Sequence, residues 1–85
     1  MNDGFHYHPA ALAEVDEATE YYREESPGLA ERFLDFLDRA IDLIVAEPMI
    51  GYPVRGGCRR KNFTRFPYAL IYRIMGDEEI EIVAR

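Results

Sequence analysis

The sequence predicts a single α+β domain in the order β-α-α-β-β-β, with an antiparallel helical hairpin packed on one face of a small, antiparallel-rich sheet. Three observations predict it. Two long stretches in the first half carry apolar residues at three- and four-residue spacing, the mark of amphipathic helices. Three runs in the second half are rich in aromatic and β-branched residues, which suit strands. The breaks between these stretches are short and built from proline, glycine, serine and aspartate, so successive elements fold back on one another.

The elements follow in order. Phe5 to His8 has enough β-propensity for a short first strand. Pro9 suits the first turn of a helix, where its missing N–H costs nothing. From Ala10 to Glu25 the residues Leu12, Val15, Ala18 and Tyr22 form the apolar stripe, with Glu14, Asp16, Glu17, Glu20 and Glu24 mostly on the wet side. Ser26-Pro27-Gly28 breaks the pattern, with Ser26 as the expected cap of a second helix and Pro27 as its first residue. That helix runs to Ala46. Ala30, Phe33, Leu37, Ala40, Ile41 and Ile44 line one face, widened by Leu34, Phe36, Leu43 and Val45. So broad a face touches both the first helix and the sheet.

Pro48 ends the second helix, and Gly51, Pro53, Gly56 and Gly57 make the next stretch a loop. Cys58 to Phe63 is a strand, Phe66-Pro67 a turn or bulge, and Tyr68 to Met75 the clearest strand. Gly76-Asp77 turns the chain into Glu79 to Ala84, where glutamate and isoleucine alternate as a half-buried strand requires. Tyr68 and Tyr72 share one strand face with Leu70 and Ile74 and are expected to pack under the helices. Tyr21 and Tyr22 are adjacent on a helix, so at most one is fully inside. Tyr52 is the tyrosine most expected in solvent.

Eighty-five residues make one domain, residues 1 to 85, with 48% hydrophobic content and no apolar run of the roughly 20 residues that a membrane helix needs. No membrane partner is therefore expected. The opening lacks the basic and apolar regions of a signal peptide, and Cys58 is the single cysteine, so the expected compartment is the cytoplasm. His6 and His8 share strand parity, but no other histidine is available, so neither a metal site nor a cofactor is expected.

Charge divides the chain. Residues 1 to 50 hold 12 acidic and 3 basic side chains, whereas residues 51 to 85 hold 4 acidic and 7 basic. Gly51 to Arg65 contains Arg55, Arg59, Arg60, Lys61 and Arg65 and no acid. Such asymmetry marks a site for an anionic partner. The net charge of −6 counts against general nucleic-acid binding, because the long-range field repels phosphates. Strand alternation puts Arg59 and Lys61 on one side and Arg60 on the other.

The sequence resembles the RelE/ParE toxin superfamily, the toxins (plasmid stabilisation proteins) of type II toxin–antitoxin pairs, along nearly its whole length. The resemblance is carried by FHYHPAALAEVDEATEYY, LAERFLDFLDRAIDLIVAEP, GYPVRGG, RFPYALIYRI and GDEEIEIVAR in that order. It implies a toxin neutralised by a cognate antitoxin, which wraps such toxins with helices and extended segments. It also implies one of two targets. ParE-like members act on DNA gyrase, and RelE-like members cleave mRNA on the ribosome with Lys and Arg on the open sheet face, aided by a C-terminal Tyr or His.

For this chain the ribonuclease candidates are Arg59, Arg60, Lys61 and Arg73. The sequence as given ends at Arg85, without a residue to match that terminal acid, so the ParE-like reading is preferred. It predicts a toxin that works by protein binding, with its helical hairpin toward the target. The predicted antitoxin site is Arg55, Arg59, Arg60, Lys61, Arg65, Arg73 and Arg85 beside the open sheet face. A last strand at a sheet edge would offer free N–H and C=O groups to a partner's strand, and a homodimer through the helices is the other expected association. A degenerate, non-toxic antitoxin-binding protein is the third reading.

Overall fold

The computed structural model describes residues 4–84. Strand β1 (Phe5–Tyr7) leads into helix α1 (Pro9–Glu25), then helix α2 (Leu29–Ala46). Strands β2 (Tyr52–Val54), β3 (Cys58–Phe63), β4 (Tyr68–Ile74) and β5 (Ile80–Ala84) follow. Among the described residues the sheet has five strands in the order β1-β5-β4-β3-β2. All neighbours are antiparallel except β1, which runs parallel to β5.

Helix α1 starts where Pro9 fixes a helical φ and His8 Nδ1 accepts from the Ala10 N–H at 3.1 Å. Its inner face is Ala11, Val15, Ala18 and Thr19. The expected stripe began at Leu12, yet Leu12 is 46% exposed and Ala11 takes its place. The small alanines let α1 lie close on β1 and β5. Thr19 keeps its buried hydroxyl satisfied by donating to the Val15 carbonyl at 2.7 Å.

The helical hairpin turns differently from expectation. Ser26 closes α1, donating its N–H to the Tyr22 carbonyl, and α2 begins only at Leu29. Gly28 is the N-cap at φ +81°, a left-handed conformation that glycine adopts without strain. So sharp a reversal between two helices needs that residue, and a serine cap with Pro27 as first helical residue does not supply it.

Helix α2 buries Ala30, Phe33, Leu37, Ala40, Ile41 and Ile44, the six expected. Leu34 lies outside that face, 41% exposed, and Phe36 is half-buried. Long aromatic side chains carry α2 to the sheet. Phe33 meets Tyr68 and Phe66 with ring centroids 5.3 and 5.5 Å apart, and Phe36 meets Phe63 at 5.4 Å. Tyr68, Leu70 and Tyr72 of β4 and Ile80 and Ile82 of β5 complete the core, so the helices cover one face of the sheet only. Tyr52 is half exposed as expected, but Tyr21 is more so, at 59%.

Two strand expectations are corrected. The stretch read as loop contains β2, because Pro53 sits on an edge strand, where a missing N–H breaks no ladder. The last strand does not form an edge. β5 lies between β1 and β4, with Phe5 opposite Ile80 and Tyr7 opposite Ile82. The edges are β1 and β2, so the free edge imagined for β5 does not exist.

Candidate functional site

The residues expected to form one cationic site fall in three places. Arg59 and Lys61 pair with Tyr72 and Leu70, two core residues, and therefore face the helices. Half-buried Arg59 donates from Nη1 to the Gly51 carbonyl at 2.6 Å. The Lys61 ammonium lies 5.2 Å from the Phe63 ring centre and donates to the Asn62 carbonyl at 3.2 Å. Arg60 and Arg73 lie on the open face. Arg60 Nε donates to Asn62 Oδ1 at 2.9 Å, and Arg73 Nη2 donates to Glu81 Oε1 at 2.5 Å. Arg55 and Arg65 are exposed in turns on either side of β3. Arg85 lies outside the described residues.

The open face is organised by carboxylates as much as by cations. His6 Nδ1 is 2.5 Å from Glu79 Oε2, and His6 Nε2 is 3.3 Å from Glu81 Oε2. Glu81 therefore joins β1 to Arg73 of β4. The hydrogen bond to Glu79 raises the His6 pKa above its ordinary 6.5, with Glu81 adding to the effect. The hydrogen bond from Arg73 lowers the Glu81 pKa, and His6 adds to that.

A group whose folded pKa is raised contributes stability that is complete below its unfolded value and lost as pH rises through the folded one. The His6 contribution is thus present below 6.5 and fades above it. The Glu81 contribution has the opposite sign, present above 4.5 and lost as pH falls through its lowered folded value. Thermal melts are expected to show slightly lower stability above the His6 transition than below it, a difference that His6→Gln removes. The effect is small because the imidazole is in solvent. An identical profile in wild type and His6→Gln would discard this assignment.

A groove between α2 and β3 brings the predicted Arg65 together with Arg32 and Arg39, which the sequence did not suggest. It encloses about 300 Å³. Half-buried Phe36, Leu43 and Phe63 supply its apolar part, and exposed Arg32, Arg39 and Arg65 its charged part. Among the described residues, Asp35 is the one carboxylate lining it. A second concavity, against α1, has the opposite sign, lined by Glu14, Glu17, Tyr21, Tyr22 and Pro67. Among the described residues no set of three or more His, Cys, Asp or Glu is placed to hold a metal ion, and no helix is long and apolar enough to cross a membrane.

A two-helix lid over one face of a five-stranded mixed sheet is a fold that solved structures share. The chain is similar to a chain in the crystal structure of the intact E. coli RelBE toxin–antitoxin complex, with a TM-score of 0.60 and 17% identity. That similarity covers 94% of this chain and 89% of the other. The family model described as the ParE toxin of the type II toxin–antitoxin system, parDE, matches residues 5–85, and the chain belongs to that family. No curated protein matches it.

Proposed function

We propose that this chain is a toxin that acts by binding a protein target, DNA gyrase, without catalysis of its own, and that a cognate antitoxin neutralises it. Membership of the ParE toxin family supports the toxin role. A similar chain occurs in a solved toxin–antitoxin complex, which supports an antitoxin partner here.

The observation that favours binding over ribonuclease chemistry is the fate of Arg59, Arg60, Lys61 and Arg73. Metal-free RNA cleavage needs a base, an acid and positive charge converging on one phosphate. Here two of the four cations face the helices and two face solvent. Arg59 holds a backbone carbonyl, and Arg73 is ion-paired with Glu81. The net charge of −6 further weakens long-range attraction for a polynucleotide.

Three assays test the reading. Induction in bacteria is expected to arrest growth, and co-expression of the neighbouring reading frame to relieve the arrest. Purified protein is expected to inhibit gyrase supercoiling and to leave mRNA intact in a translating extract. Cleavage of mRNA there, lost on Arg60→Ala or Arg73→Ala, would establish the ribonuclease instead. Induction without arrest would leave a non-toxic antitoxin-binding protein.

A further inference from the structure

The described arginines divide by whether their charge is already committed. Arg23 pairs with Glu20, Arg59 with the Gly51 carbonyl, Arg60 with Asn62 and Arg73 with Glu81. Arg32, Arg39, Arg55 and Arg65 have no ion pair or hydrogen bond from the guanidinium. Three of these four line the groove between α2 and β3. A guanidinium with no internal partner is the one that gains most from an incoming carboxylate, because no existing bond has to break.

We propose that this groove is the docking site for an acidic, amphipathic segment of the antitoxin, a reading that rests on the toxin–antitoxin assignment above. The chemistry of the walls specifies the segment. Phe36, Leu43 and Phe63 offer an apolar bed, and interfaces of this kind concentrate their energy in buried aromatic and apolar anchors. Arg32 and Arg39 stand seven residues apart on α2, roughly 10 Å along the axis at the usual helical rise. Arg65 lies across the groove from them, on the turn after β3. The matching segment carries carboxylates about two helical turns apart on either side of an apolar patch.

Its route is open, because β2 ends opposite Arg60 and leaves Lys61, Asn62 and Phe63 as a free strand edge. The acidic surface of α1 disfavours the same segment in the concavity there.

Two charge-equal variants test the location. Arg32→Glu/Arg65→Glu reverses the groove, and Arg55→Glu/Arg60→Glu reverses the same amount of charge outside it. The probe is the cognate antitoxin, titrated against each full-length variant after melting curves confirm folding. The groove variant is expected to bind about 100-fold more weakly, and the outside variant within about 3-fold of wild type.

Phenylglyoxal footprinting of the wild-type complex gives a readout that does not depend on variant folding. Arg32, Arg39 and Arg65 should be protected and Arg55 should stay reactive. Binding with the groove arginines still reactive, or lost only in the outside variant, overturns the groove and leaves the antitoxin reading standing. No binding by wild type overturns both.

Discussion

Replacing Phe33 by alanine is expected to remove most of the protein's stability. The ring is completely buried and sits at the centre of an aromatic cluster, 4.8 Å from Tyr22 and 5.3 to 6.3 Å from Tyr68, Phe66 and Phe36. A Phe→Ala change at such a site typically costs about 3–5 kcal/mol, transfer and cavity terms together. Domains hold only about 5–15 kcal/mol in total, and one this small belongs at the low end. Leu34→Ala, one residue along, is the control. Leu34 is 41% exposed, so its removal is expected to cost no more than about 0.5 kcal/mol. Urea denaturation followed by circular dichroism measures both. Equal losses at the two positions would mean that α2 does not present the face described.

Phe33 and Leu34 also show how far the sequence could be read. The six residues that α2 buries were legible because their spacing repeats a helical period over about four turns. β4 was legible because aromatic and β-branched residues fill it. On α1, Val15 and Ala18 are buried as expected and only the start of the face differs, since alanine is apolar enough for either side and only packing against β1 and β5 decides between Ala11 and Leu12. β2 was hidden because Pro53 and the surrounding glycines are loop residues until an edge strand is there to accept them. The central place of β5 was not legible at all. It depends on β1 returning beside a strand more than seventy residues later, and nothing local encodes that pairing.

The candidate site was legible as charge and only in part as geometry: strand alternation separated Arg59 and Lys61 from Arg60, but their bonding partners were not readable. The run Arg55 to Arg65 announces an anionic partner, and two of its members, Arg55 and Arg65, keep their guanidinium groups uncommitted. The others are taken up by internal bonds whose acceptors, the Gly51 carbonyl and the Asn62 side chain among them, are set by tertiary structure. Arg32 and Arg39 were overlooked because they lie in a half of the chain with 12 acidic residues. Their seven-residue separation, bracketing Phe36, was the available signal. It places all three on neighbouring positions of one helix surface.

Gly51→Ala is expected to displace the chain between α2 and β2, and to do so partly through Tyr72. A methyl group at position 51 would stand 2.7 Å from the Tyr72 hydroxyl and 2.9 Å from the Arg60 carbonyl, closer than real contacts allow. The Arg60 carbonyl is backbone within β3 and has little room to give, so a cost of about 1–3 kcal/mol is expected. The same hydroxyl ties this chain to the core. It donates to the Pro48 carbonyl at 2.6 Å and accepts from the Gly51 N–H at 2.9 Å. Tyr72→Phe leaves both groups short of a partner in a largely buried place, again about 1–3 kcal/mol.

The double variant discriminates between mechanisms. If the methyl acts mainly by colliding with the hydroxyl, Gly51→Ala/Tyr72→Phe costs clearly less than the two single changes together, because residues in contact do not add. The saving is incomplete, since the Arg60 carbonyl and the Tyr72 ring remain 2.9 Å away. Strict additivity in denaturant melts would show that the hydroxyl and the glycine act independently. The short approach at residue 51 would then have to be relieved somewhere other than against Tyr72.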